Sequence, residues 1–189
     1  MHSLVKNFYM EKTKIEALRK LGLTKDEARE WIDILFEEST VKTPMAIVYK
    51  NKDDSLDALP YLDKTRKEDV VGVLENDVIW FLTGQKSNVL YHEAKNLVTE
   101  KSRFPSVAQL ERVCSRLPAI NQTFDILRKH GIKAEDFLEH GHYWTSQQWS
   151  INDKDTVIVY SIKDKSKYEF DPFRGKLAHA RVCMPFYTY

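Results

Sequence analysis

Two short apolar runs near the middle of the chain predict a β-hairpin. Residues 70–74 read Val-Val-Gly-Val-Leu, residues 78–82 read Val-Ile-Trp-Phe-Leu, and the intervening Glu-Asn-Asp favours a turn. Neither run contains a polar or charged side chain, so neither strand can present one face to water. We therefore expect this hairpin to lie inside a sheet that is covered on both faces.

The first forty residues predict two amphipathic helices. Thr13 with Glu16, and Thr24 with Glu27, each form the Thr-x-x-Glu capping box that begins a helix, and Gly22 lies where the first helix would end. Two helices of this length cannot bury an apolar stripe by themselves. We expect residues 1–44 to form a helical hairpin that associates with a protein partner or a second copy of the chain. The residues that we assign to this association surface are Trp31, Leu35 and Phe36.

The rest of the chain divides into a connecting segment and a main domain. Residues 45–69 begin with a β-rich run, 45–49, and continue as a polar, poorly patterned stretch, which predicts a connecting strand and loop. Residues 70–189 read as strands, then helices, then strands. That order is typical of an α+β fold rather than of a regular βαβ alternation.

The middle of the main domain predicts three helices. Tyr91 belongs to the first, and Ser106, with Gln109 three residues later, caps the second. Pro118 should end the second helix, because proline removes a backbone donor and clashes with the preceding turn. A third, short helix should end at Gly131.

The composition excludes several classes of protein. The 189 residues carry 29 basic and 28 acidic side chains, and neither sign is concentrated in one region. Nucleic-acid binding is therefore not the expected role, because such proteins gather Lys and Arg on one face. The longest apolar runs have about five residues where a membrane-spanning helix needs about 20, so we expect no membrane insertion. The first residues lack the pattern of a secretion signal, and we expect a cytoplasmic location.

Short motifs in the main domain follow the order found in one domain family. They are Val-Gly-Val-Leu at 71–74, Tyr-His-Glu-Ala at 91–94, Arg-Phe-Pro-Ser at 103–106 with Gln-Leu at 109–110, Tyr-Trp-Thr-Ser at 143–146 and Ala-Arg-Val-Cys at 180–183. The set resembles the bacterial and phage domain of unknown function that is related to the C-terminal domain of collagen-like adhesins. The hallmarks of that family are G-V-V, W-x-E-A, R-L-P-T-x-x-E-L, Y-W-S-S and V-R-x-V, and the resemblance covers about residues 70–186.

The resemblance implies a variant of the C-type lectin-like fold, in which a small twisted antiparallel sheet is flanked by two helices. Tyr143 and Trp144 would wedge the sheet against the helices, with a buried partner for the indole N–H, and Arg181 would belong to the same framework. Tyr91 stands where the family has Trp, and Thr145 where it has Ser. The family also occurs in phages, which implies a structural component of a virion as a further setting for this chain.

Residues between the Tyr-Trp element and the last strand form the predicted contact surface, for a protein or a glycan. Amides, aromatic rings and Arg are the mixture that is enriched in binding surfaces. In residues 171–175, a proline-constrained turn would present Phe and Arg as an anchor pair of low conformational entropy. The alternative is ordinary polar loop composition. The predicted ligand-binding residues are Gln147, Gln148, Trp149, Asn152, Asp153, Asp171, Phe173 and Arg174.

The chain carries none of the common catalytic motifs, and we expect neither an enzyme nor a cofactor. Cys114 and Cys183 lie in apolar patterns, an environment that suppresses the reactive thiolate, so a cysteine enzyme is a minor alternative. His140 and His142 provide at most half of a zinc site. The paired loop motifs of calcium-dependent lectins are missing, and residues 149–153 carry an insertion relative to W-N-D, so no calcium site is expected.

A second resemblance lies at the N-terminus. Residues 21–28, Leu-Gly-Leu-Thr-Lys-Asp-Glu-Ala, with the helix that follows, are similar to the opening helix pair of the integration host factor and HU family. In that family these helices build the body of a dimer, while a basic β-arm grips DNA. No such basic arm follows these residues, so the resemblance implies only a dimer-forming helix pair and not the DNA-gripping arm. A DNA-associated dimer is therefore the alternative to a binding module.

Overall fold

The structure, a computed structural model, describes residues 19–20, 22–137, 141–151, 154–172 and 175–186. The chain divides into two compact units, one made of residues 1–41 with 63–65 and the other of residues 42–62 with 66–189. Two five-stranded sheets and a few helices make up the described fold, which is α+β as predicted.

The first unit contains helix α1, Lys25–Ser39. The Thr24 side chain accepts a hydrogen bond from the Glu27 N–H at 3.3 Å, and the Glu27 carboxylate accepts one from the Thr24 N–H at 2.8 Å. The predicted capping box at Thr24 is therefore confirmed. Residues 19 and 20 are helical, but the start that we predict for the preceding helix, at Thr13, lies outside the described residues.

The first sheet combines strands from the first half of the chain with one from its far end. Its strands stand in the order β10-β4-β3-β1-β2. The strands are β1 (Thr40–Lys50), β2 (Leu56–Asp63), β3 (Val70–Glu75), β4 (Val78–Phe81) and β10 (Cys183–Pro185). β3 and β4 pair antiparallel, with Glu75 opposite Val78, so the predicted hairpin is confirmed with a turn one residue shorter than expected.

Residues 45–69 hold more regular structure than the sequence predicts. β2 occupies part of the stretch that we interpret as a loop, and a 3₁₀ segment, Lys64–Asp69, follows it. Pro60 lies inside β2, although a proline within a segment usually argues against that segment being a β-strand. β2 tolerates this proline because it is an edge strand, where one row of backbone N–H groups needs no partner in the sheet.

The second sheet has the order β5-β9-β6-β7-β8. Its strands are β5 (Lys86–Val89), β6 (His142–Ile151), β7 (Lys154–Ser161), β8 (Ser166–Phe170) and β9 (Ala178–Ala180). β6 pairs antiparallel with β7 but parallel with β9. The β6–β7 register slips between Trp144 and Gln148, so β6 bulges in its middle.

Two helices, α2 (Tyr91–Lys95) and α3 (Val107–Lys129), belong to the second unit. The Ser106–Gln109 capping box is present as predicted. α3 continues past Pro118, so the predicted end at that residue and the separate third helix are wrong. Pro118 lacks a backbone N–H, so the helix loses one hydrogen bond there. The helix continues because Leu117 and Ile120, on either side of the proline, are both buried and hold it on the core.

α3 ends where the sequence predicts. Gly131 has a φ of 85°, its N–H donates to the Arg128 carbonyl at 2.9 Å, and the Ile132 N–H donates to the Leu127 carbonyl at 3.0 Å. This is the Schellman arrangement that a glycine after the last helical turn favours. In the part of the chain that the structure describes, no helix has the length and apolar character needed to cross a membrane.

Candidate functional site

Tyr143 and Trp144 are fully buried on opposite faces of β6. The Trp144 ring packs against Tyr91 of α2, with the ring centroids 5.2 Å apart, and the indole N–H donates to the Val89 carbonyl at 3.1 Å. On the other face, the Tyr143 ring lies 5.9 Å from that of Phe137. The aromatic pair therefore holds β6 between α2 and the segment that follows α3.

Arg181 lies in the core, with 1% of its surface exposed. Its guanidinium donates to the carbonyl oxygens of Glu135 at 2.7 Å and Phe81 at 2.9 Å. It also donates to the Gln85 side-chain oxygen at 3.2 Å, which in turn accepts the Tyr143 hydroxyl at 3.1 Å. Burial lowers the pKa of Arg181 to about 10, which leaves the group charged at neutral pH. Arg181 therefore ties its own segment to residues 81–85 and to Glu135.

The register of the second sheet brings several predicted contact residues to one end. Gln148 lies opposite Val157, and Val157 lies opposite Phe170, so the three residues form one row across the strands. Asp171 directly follows Phe170. The side chains of Gln147 and Gln148 are exposed, and Asp171 is half-buried at the same end of the sheet.

The Gln148 side-chain amide donates to the Tyr91 hydroxyl. Desolvation raises the pKa of the Tyr91 phenol, so the hydroxyl keeps its proton and can itself donate. The Lys95 ammonium lies 5.0 Å from the centroid of the Tyr91 ring, and the Lys176 ammonium lies 5.9 Å from that of Phe170. We call this group the sheet-end surface, and its members are Tyr91, Lys95, Gln147, Gln148, Phe170, Asp171 and Lys176.

The two lysines of the sheet-end surface are not among the contact residues predicted from the sequence. Lys95 follows Tyr91 by four residues on a helix, a spacing that places the two side chains on one face and could have indicated the pair. Lys176 carries no comparable signal, because its approach to Phe170 depends on the course of the chain between β8 and β9.

Other predicted contact residues fall outside the described part of the structure. The backbone of Trp149 lies in β6 opposite Thr156, but its side chain is not among the described groups. Asn152, Asp153, Phe173 and Arg174 lie outside the described residues altogether.

The predicted association residues lie on α1. Trp31 is 51% exposed, an unusual fraction for the largest apolar side chain. The backbones of Leu35 and Phe36 belong to the same helix, whereas their side chains are outside the described groups.

A groove of about 890 Å³ in the second unit is absent from the sequence predictions. Its lining includes apolar residues that are partly or largely buried, which we call the floor (Phe81, Leu97 and Val182), and two lysines, one half-buried and one exposed, which we call the rim (Lys67 and Lys133). These residues come from segments that are far apart in the chain. For that reason, the sequence contains no motif that indicates the groove.

The two thiols lie in environments that suppress their reactivity. The Cys114 sulfur is 3.9 Å from the Tyr160 hydroxyl, and burial raises the pKa of this thiol. Burial raises the pKa of Cys183 to about 12. Both cysteines are free, and neither would be a thiolate at neutral pH.

The histidine pair considered as half of a metal site is described only in part. His142 packs edge-on against Tyr168, with centroids 4.8 Å apart, and His140 lies outside the described residues. Among the side chains that the structure describes, no three His, Cys, Asp or Glu residues are grouped as metal ligands.

No family model, curated protein or solved structure matches this chain. The resemblances of residues 70–186 and of the N-terminal helices therefore stay predictions. The candidate sites rest on their own geometry.

Proposed function

We propose that this protein is a non-catalytic binding module that contacts a protein or a glycan through the sheet-end surface. The observation that carries the proposal is the row formed by Gln148, Val157 and Phe170, which gathers residues from β6 and β8 at one end of the sheet. Gln147, Gln148 and Asp171, which their residue types alone predict as contact residues, all lie at this end. Their convergence supports a shared surface rather than unrelated loop residues.

The chemistry of the sheet-end surface suits a ligand rich in polar groups. Because the Gln148 amide donates to the Tyr91 hydroxyl, the pair presents the amide oxygen as an acceptor and the phenol O–H as a donor, and Lys95, Lys176 and Asp171 add both signs of charge. The buried Trp144 lies directly beneath, in contact with Tyr91 and with Phe170. A surface supported by a packed aromatic layer loses little conformational entropy when it binds.

The wider context of the proposal comes from the resemblances. We place residues 70–189 in a C-type lectin-like arrangement preceded by an N-terminal helical hairpin, in a phage virion or in the cytoplasm. The raised pKa values of Cys114 and Cys183 support a non-catalytic role over a cysteine enzyme. For the association role of the N-terminal helices, the support is the exposed Trp31.

Binding to defined libraries tests the proposal. Fluorescently labelled protein is applied to a printed oligosaccharide array and to an immobilised random-peptide library, and affinities for the hits are then measured. Gln148→Ala and Asp171→Ala should each weaken binding by about tenfold, as expected for residues central to an interface. Gln122→Ala, which removes an exposed amide from α3, is the matched control and should have no effect. Failure to bind either library, or hits that are insensitive to both variants, would contradict the proposal.

The association role has a separate test. Trp31→Glu should reduce the mass measured by light scattering to that of a single chain, because a charge would replace an apolar contact. Glu30→Ala, a neighbouring exposed change, should leave the mass unaltered. A mass that is the same in wild-type protein and Trp31→Glu argues against association through this helix.

A further inference from the structure

We propose that the groove in the second unit is a second binding site, for a small amphipathic carboxylate whose apolar body lies on the floor and whose anionic group lies at the rim. The site goes beyond the contact role proposed above, since its lining residues are not those of the sheet-end surface. Its volume of about 890 Å³ is within the range of small-molecule pockets, which is roughly 300–1,000 Å³.

The floor of the groove is apolar and incompletely covered. Phe81 and Leu97 are only partly buried, although both pack against the core formed by Trp144 and its neighbours. Val182 lies beside them and is largely buried. A ligand with a hydrocarbon part would remove the remaining exposed area from water, which favours binding in proportion to that area.

The rim of the groove is positively charged. Lys67 is half-buried and Lys133 is exposed, and neither ammonium has an ion-pair partner in the described parts of the chain. Among the described residues that line the groove, Glu68 is the one carboxylate. Two lysines that are free to pair, opposed by a single acidic group, favour an anionic head group over a cationic or neutral one.

The walls of the groove are held by hydrogen bonds within the protein. The Arg181 guanidinium fixes the Phe81 backbone by a 2.9 Å bond to its carbonyl. The Thr99 and Ser102 side chains bond to each other at 2.8 Å and also to the backbone of their own turn. The Ile132 N–H is tied to the end of α3. A preformed groove avoids part of the ordering cost of binding.

Three probes with the same chain length separate charge from hydrophobicity. Octanoate, octylammonium and octanol are titrated into the full-length protein at pH 7 by calorimetry, with acetate as a probe that has the charge but no chain. Octanoate should bind at least tenfold more tightly than octylammonium and more tightly than octanol, and acetate should show no saturable binding. Amide chemical shifts on adding octanoate should change in residues 81–83, 97–102 and 130–133.

Matched variants locate the site. Lys67→Ala and Lys133→Ala should each weaken octanoate binding by about fivefold, the size expected for one charged contact at a partly exposed site. Leu97→Asn should also weaken octanoate binding, because a polar side chain would replace part of the apolar floor. Lys52→Ala removes a lysine from the exposed turn between β1 and β2 and should have no effect, as should Gln148→Ala on the sheet-end surface.

The result that would overturn the site is specific. Equal affinity for octanoate and octylammonium would show that the lysines do not select an anionic group. Acetate binding as tightly as octanoate would show that the apolar floor does not contribute to binding. Loss of octanoate binding in Gln148→Ala, with Lys67→Ala and Lys133→Ala unaffected, would place the ligand elsewhere. Because Gln148→Ala is also the test of the sheet-end surface, either proposal can fail without the other.

Discussion

The Arg181 guanidinium lies 4.2 Å from the centroid of the Phe137 ring, and both side chains are at most 1% exposed. Phe137 also packs edge-on against Trp80 of the first sheet, with the ring centroids 5.1 Å apart, and in a tilted arrangement against Tyr143 of the second sheet, with the centroids 5.9 Å apart. Arg181 itself lies between β9 of the second sheet and β10 of the first. This cation–aromatic pair is therefore a junction between the two sheets.

Replacing Arg181 by Met should destabilise the fold by about 2–4 kcal/mol, because the half-buried carbonyl oxygens of Phe81 and Glu135 would lose their charged donor, while the Gln85 side-chain oxygen would retain the Tyr143 hydroxyl. Arg181→Lys should recover little of this loss, since one ammonium cannot reproduce the planar geometry that reaches all three. Urea unfolding of the purified variants measures the change. Arg116→Met, at an exposed position on α3, is the control and should change the stability by no more than about 0.5 kcal/mol.

The stability should fall as the pH rises above 9, in part because of Cys183. Burial raises the pKa of this thiol from its ordinary value of 9.0 to about 12, so the unfolded chain loses the proton first and alkaline pH favours unfolding. The contribution is complete below pH 9 and should shrink by about 2–3 kcal/mol at pH 11.

Urea unfolding of wild-type protein and Cys183→Ala between pH 8 and 11 isolates this contribution. The slope of stability against pH should be shallower in the variant. The lowered pKa of Arg181 raises the stability above about pH 10, which is the opposite effect. Arg181 and the tyrosines titrate equally in both proteins, so their contributions cancel in the comparison. Parallel slopes would contradict the assignment to Cys183.

Gly141→Ala should destabilise the protein by about 1–3 kcal/mol, because a Cβ at this position would overlap the His179 imidazole. The cost should fall below about 0.5 kcal/mol when His179 is first replaced by Ala, since the clashing ring is then absent. A double-mutant cycle by urea unfolding measures the coupling. Additive effects of the two changes would show that the overlap is relieved elsewhere.

Pro118→Ala should stabilise the protein. A proline in a helix interior costs about 3 kcal/mol, and the change removes this cost by restoring the backbone N–H inside α3. Part of the gain is lost because alanine makes the unfolded chain more flexible than proline does. We expect a net gain of about 1–2 kcal/mol and a matching rise in the thermal midpoint. Pro118→Gly should gain less, because glycine is about 1 kcal/mol poorer than alanine in a helix. A lower midpoint for Pro118→Ala contradicts the expectation.

Features of the fold that depend on neighbouring residues are predictable from the sequence. The caps at Thr24 and Ser106, the end of α3 at Gly131 and the β3–β4 hairpin each rest on residues within a few positions of one another. Pro118 is the exception among local signals, because tertiary packing on both sides outweighs the local preference of proline. The edge strand β2 is missed for a different reason, because its sequence is weakly patterned and interrupted by Pro60, which is tolerated at a sheet edge.

Features that depend on distant residues are not visible in the sequence. The Arg103–Cys183 bridge and the pairing of β10 with β4 join segments far apart in the chain, and no local pattern indicates either partner. The candidate sites follow the same rule. Gln147, Gln148 and Asp171 are identifiable by residue type, whereas the partnership of Gln148 with Tyr91 and the whole groove arise from tertiary structure.

The late pairing of β10 also bears on how the protein can be made. Trp80 stays without its neighbour Cys183 until about a hundred further residues have left the ribosome, so an apolar strand edge is bare while those residues are made. Such delayed closure favours slow maturation and self-association of nascent chains. Yield in a cell should therefore depend on chaperone capacity and growth temperature more than on the equilibrium stability of the finished molecule.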